Sequence, residues 1–174
     1  PGPASGASGA SGLATTLTEI AHRNPSRVIP MGPSAVGRAG AALAAISSYG
    51  GGMVRGDRQD LTLEVGAGAR LGVVTQGATR VYRREGRLGG QEGQEEGACE
   101  ATLDAAVGEG GFLVWAPDPL VPYSGSALVQ RQAVRLGQGA SLVMVDWFGA
   151  GRVSSGERWD FDLLASRTDL TEEG

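Results

Sequence analysis

The sequence predicts an all-β protein, and the prediction rests on alternation, glycine turns and recurrence. Apolar and polar residues alternate through Leu61-Thr62-Leu63-Glu64-Val65, the period of a half-buried strand. The turn Gly66-Ala67-Gly68-Ala69 follows, and Arg70-Leu71-Gly72-Val73-Val74-Thr75 makes a return strand. The same unit recurs as Gln132 to Leu136, the turn Gly137-Gln138-Gly139-Ala140, and Ser141 to Asp146. A weaker copy centres on Val107-Gly108-Glu109-Gly110-Gly111, followed by Phe112 to Trp115. Glycine supplies positive φ at such turns, so each unit is expected to be a β-hairpin. Repeated hairpins stack in layers, as in a β-helix or a sandwich.

The remaining segments take their places around these units. Residues 1–25 read as a low-complexity N-terminus, with the small-residue tract PGPASGASGASG expected to be disordered. Leu13, Leu17 and Ile20 have helical spacing, which Pro25 and Pro30 prevent from extending. Ser26 to Ile46 is expected to hold a loop and an opening strand or short helix, and residues 26–170 form one β domain. Residues 84–100, with the run GRLGGQEGQEEG, read as a flexible inserted loop with Cys99 at its edge. The prolines of Ala116-Pro117-Asp118-Pro119-Leu120-Val121-Pro122-Tyr123 predict a rigid extended crossover outside the ladders. Asp146 is expected to end one strand and Arg158 to Leu164 to form another. Trp115, Trp147 and Trp159 read as strand residues facing the core.

Composition narrows the chemistry. The chain has 174 residues, 30 of them glycine, and 41% hydrophobic content, enough for one sizeable core. The 15 basic residues are all arginine, so neither a P-loop lysine nor a Schiff base is available. One cysteine, Cys99, and one histidine, His22, exclude an internal disulfide and a structural zinc site. The net charge of −4 with no long basic run argues against nucleic acid as a partner. No apolar run reaches the roughly 18–20 residues that span a bilayer. Together these features predict a non-enzymatic protein.

Three segments have the residue types for a site. Gly50-Gly51-Gly52-Met53-Val54-Arg55-Gly56-Asp57 offers backbone amides for an anion nest, or simply a turn. The proline-rich segment offers Asp118 and Tyr123 for partner contact. The stretch from Asp146 to Phe161 holds Asp146, Arg152 and Glu157, whose plain reading is an arginine–carboxylate bridge fixing a turn. Paired acids also serve glycosidases, but nothing in the spacing specifies that chemistry.

In order along the chain, SYGGGMVRGDRQDLTLEVGAGARLGVVTQGATRVYR, then PDPLVP with Tyr123, then Asp146 through GRVSSGERWDF, resemble the blocks of the urease accessory protein UreD (UreH) family. The match departs at Val74, Gly77 and Arg80, where threonine, alanine and lysine are usual, and members run longer, so C-terminal strands are expected beyond Leu170. The resemblance implies a β-helix-like, two-sheet stack of hairpins. It also implies a cytoplasmic accessory protein that binds apo-urease and recruits UreF, which docks the GTPase UreG. Nickel would be cargo in transit rather than a tightly bound cofactor. On that basis Asp57, Asp146 and Glu157 are expected to meet the ion, with Thr75, Gln76 and Arg152 lining or supporting its passage. The alternatives are a β-solenoid interaction scaffold without metal transfer and a carbohydrate-active β-solenoid enzyme.

Overall fold

The computed structural model describes residues 14–21, 26–32, 40–83 and 97–173. The N-terminal tract, His22 and most of the predicted loop at 84–100 lie outside these. Ala14 to Ala21 is irregular rather than helical.

The strands are β1 (Ser26–Met31), β2 (Ala42–Ser48), β3 (Gly52–Val54), β4 (Arg58–Val65), β5 (Arg70–Thr75), β6 (Thr79–Tyr82), β7 (Cys99–Val107), β8 (Phe112–Ala116), β9 (Leu120–Pro122), β10 (Ala127–Leu136), β11 (Ser141–Met144) and β12 (Leu163–Glu172). They form three sheets rather than the expected two. The first has the order β1-β2-β5-β8-β11, the second β12-β10-β7-β4 and the third β3-β6-β9. Among the described residues only β1 and β2 pair antiparallel; every other pairing there is parallel. The chain therefore circulates: a strand in the second sheet, a glycine corner, a strand in the first, a short strand in the third, then back.

The predicted hairpins are a misreading of these corners. Strands β4 and β5 flank Gly66 but never pair; β4 pairs with β7, and β5 with β2 and β8. Each corner bonds to the next coil instead. The N–H of Gly108 donates to Val65 O at 2.7 Å, and that of Gly137 to Val107 O at 2.7 Å. Gly68 and Gly110, with φ of 66° and 60°, supply the left-handed residue each turn needs. A tight turn with a left-handed glycine is the same local signal in a hairpin and in a corner. What separates the two is where the flanking strands find partners, and that is a long-range matter.

Alternation sets which side chains meet inside. Along β10 the inward positions are Leu128, Gln130, Gln132, Val134 and Leu136, while Arg131 and Arg135 face solvent. Register carries these positions across the second sheet in rows. Near the glycine corners the rows are apolar, and Val65, Leu71, Val107, Leu113 and Leu136 join one buried cluster. At the other end of the strands, Met53, Val81, Cys99 and Leu128 form a second. Full burial of a leucine or valine contributes about 1.5–3 kcal/mol, against about 0–1 kcal/mol for an exposed ion pair. These clusters, rather than surface pairs such as Arg135–Asp104, hold the coils together.

Several other expectations change. Residues 158–162 are irregular, and the final strand runs from Leu163 to Glu172, pairing with β10 at the sheet edge. The proline segment is not wholly outside the ladders, since Leu120 to Pro122 forms β9 against β6. Of the tryptophans only Trp115 lies on a strand. Trp147 and Trp159 are 50% and 57% exposed, and Trp159 adopts φ 56°. Cys99 opens β7 and is buried, its thiol donating to Val54 O at 3.0 Å. Burial pushes its pKa up, with nearby Asp57 adding to the effect.

Candidate functional site: a polar cavity between the sheets

Between the two apolar clusters the rows turn polar. In one, Gln59, Ala101, Gln130 and Ser166 stand side by side; in the next, Leu61, Leu103, Gln132 and Thr168. Ala101 is too small to fill the gap between two glutamines, and a cavity of about 80 Å³ lies there. A single water needs about 10–15 Å³, so several fit. The three sheets all contribute to its wall, through Thr75, Trp115, Gln130, Gln132, Thr79 and Leu120 among others. It reaches the surface beside Asp146 and Trp147, both exposed.

The charged residues lining it are Asp118 and Asp146, with no arginine or histidine among the lining side chains. Two carboxylates facing one small space, partly screened from solvent, favour a cation there. Each is held by neutral donors. Asp118 Oδ2 accepts from the Gly77 N–H at 2.8 Å and faces the Thr75 hydroxyl at 3.3 Å. Asp146 Oδ1 accepts from Gln130 Nε2 at 2.9 Å, and Oδ2 accepts from Gln132 Nε2 at 3.1 Å and Ser166 Oγ at 3.2 Å. The indole N–H of Trp147 donates to Pro117 O at 2.8 Å, spanning the space between the two acid-bearing segments.

Of the predicted site residues, Thr75 and Asp146 line this cavity, and so does Asp118, which the sequence offered for partner contact. Asp57, Gln76, Arg152 and Glu157 do not. Asp57 closes the turn between β3 and β4, its Oδ2 accepting from the Val54 N–H at 2.9 Å. Gln76 is exposed, and its backbone N–H donates to Ile46 O at 2.8 Å. Arg152 does hold Glu157, as expected: Nε donates to Oε1 at 2.9 Å and Nη2 reaches the same oxygen. That guanidinium lies 4.9 Å from the ring centre of Tyr123, which meets Tyr82 edge-on at 5.2 Å. The hydrogen bond from Arg152 draws the Glu157 carboxyl down to about 2. Among the described residues, no three of His, Cys, Asp and Glu gather as a metal-ligand set.

Sequence reasoning missed Gln59, Gln130 and Gln132. A signal existed: Gln130 and Gln132 occupy the inward phase of β10, between Leu128 and Val134, where an apolar residue is the ordinary choice.

Residues 6–174 match the family model described as UreD urease accessory protein. The chain belongs to the UreD family. A urease accessory protein UreD from Anaeromyxobacter sp. is 38% identical over 83% of this chain and 44% of its own length. Another from Sorangium cellulosum is 38% identical over 92% of this chain and 46% of its own. A urease accessory protein D from Oryza sativa subsp. indica is 34% identical over 87% of this chain and 47% of its own. The chain thus spans just under half the length of these UreD relatives. The cavity lies within the region matched to the family.

Proposed function

We propose that this chain serves urease maturation as an accessory scaffold, binding apo-urease, recruiting UreF and through it UreG, and letting nickel pass through the interior cavity. Family membership supports the setting in maturation. The observation that carries the passage is the cavity itself, which presents two carboxylates, neutral amide and hydroxyl groups, and no arginine. Oxygen donors hold nickel more weakly than thiolate or imidazole would, and a passage should release its cargo. The circulating strands are read as a β-helix whose interior the ion crosses. The same reading places the protein in the cytoplasm, beside urease.

Asp146, Asp118 and Thr75 take over the passage role, while Asp57 and Glu157 keep structural duties in their turns. The test compares variants in the whole protein, co-expressed with urease. Asp146→Ala should lower the nickel content of urease while co-purification with apo-urease persists, and Asp57→Ala should load nickel normally. Full nickel loading with Asp146→Ala would sink the passage and leave an interaction scaffold. Failure to co-purify with apo-urease would remove the maturation role altogether.

A further inference from the structure

Resting on the maturation reading, we infer that the outer face of the first sheet is a docking surface for one amphipathic helix of a partner protein. Register lines up two rows there. Met31, Leu43, Gly72, Val114 and Val143 form one, running from β1 to β11. Ile29, Ala45, Val74 and Ala116 form the other, and Val145 continues it, its N–H donating to Trp115 O at 2.9 Å. None of these residues has a polar side chain. The edge members stay uncovered, since Ile29, Met31, Val143 and Val145 are 36%, 41%, 47% and 39% exposed. The coiled fold does not require this. On the second sheet the outward phase carries exposed Arg58, Asp60, Asp104, Arg131, Arg135 and Arg167. Parallel strands that are apolar on both faces are normally covered on both.

Size and shape choose the occupant. Strands spaced about 4.8 Å put about 19 Å between β1 and β11, and the two rows stand about 7 Å apart. With side-chain reach the face covers roughly 300 Å², well short of the about 800 Å² that each partner gives a standard interface. A second copy seated here would therefore gain too little. A single helix fits, because it is about 10–12 Å wide and about 13 of its residues span 19 Å. Ala45 and Ala116 are small, and Leu43 leans over Gly72, where an added Cβ would stand 2.9 Å from Leu43 Cδ1. The middle of the face is thus kept low for the apolar stripe of a helix laid across the strands. Arg27, exposed and next in phase along β1, favours an acidic residue at that end of the helix. Beyond Val145 come Asp146 and Trp147 at the cavity mouth, so the other end of the docked helix lies beside the opening.

A photo-crosslinking side chain placed at Met31 or at Val143 of the whole protein, co-expressed with apo-urease and UreF, identifies the occupant. The two positions should cross-link to one helix of one partner, at sites about 13 residues apart. Adducts to a second copy, to the protein's own chain, to a non-helical segment or to nothing overturn the inference. Val143→Glu and Val145→Glu sit on an exposed edge, so each should keep the urea midpoint while lowering co-purification of that partner at least about tenfold. Val143→Leu should preserve it. Should a glutamate lower the midpoint, the cross-links decide. Unchanged co-purification with both glutamate variants overturns the surface and leaves the maturation role standing. Unmodified protein that captures neither apo-urease nor UreF sinks the maturation reading itself.

Discussion

Thr75 and Asp118 hold each other across two coils: the Asp118 N–H donates to Thr75 Oγ1 at 2.7 Å, and Asp118 Oδ2 lies 3.3 Å from the same hydroxyl. One side chain at the end of β5 thereby satisfies both the backbone and the carboxylate of the segment after β8. Thr75→Val keeps the shape and removes the oxygen, leaving a half-buried N–H without its acceptor. The cost should be about 1–3 kcal/mol, read as a lower urea midpoint, and Thr75→Ser should recover most of it. A Thr75→Val midpoint equal to the unmodified protein would mean water replaces the hydroxyl.

Glu157 should make stability depend on acid pH. Its carboxyl falls from the ordinary 4.5 to about 2, chiefly through the hydrogen bond from Arg152. A carboxyl depressed by folding stabilises fully above its unfolded pKa, and that contribution is lost as pH falls through the folded one. The loss belongs between pH 4.5 and about 2. Glu157→Gln should flatten the stability profile across that window. An unchanged slope in the variant would assign the acid sensitivity to other carboxylates.

The corner ladder predicts that glycines differ sharply by position. A Cβ on Gly108 would stand 2.8 Å from Ala67 N in the neighbouring turn, and one on Gly137 would stand 2.9 Å from Glu109 N. Gly66 has nothing within 4 Å and no positive φ. Gly108→Ala should therefore cost about 1–3 kcal/mol, whereas Gly66→Ala should be neutral or stabilise by up to about 1 kcal/mol through the unfolded chain. Urea midpoints of the two variants decide it. Equal effects would mean the corners do not stack this closely.

Legibility followed the range of the interactions. Leu61 to Val65 and Arg70 to Thr75 were readable as strands because alternation is local, and their turns because glycine's left-handed freedom is local. Their partners were not readable. Nothing within Gly66-Ala67-Gly68-Ala69 says whether Leu61 to Val65 pairs with the strand just after it or with Cys99–Val107. Trp147 and Trp159 lie outside the strands for a related reason, since neither belongs to a sustained alternating run that would mark inside from outside. Glu157 with Arg152 was recoverable because five positions and one turn separate them.

The sequence by itself determined an all-β chain, its turns, its family, and a ligand inventory poor in sulfur and imidazole. Those properties are written in composition, short-range periodicity and ordered motifs. Only the tertiary structure decided that the turns are corners between three sheets whose coils pair in parallel, and that Asp118, Asp146, Gln130 and Gln132 face one cavity while Asp57 and Glu157 do not. Register is the reason: parallel pairing between coils aligns Gln59, Ala101 and Gln130 across distant parts of the chain. A single small side chain in that row then opens the space into which the acids point.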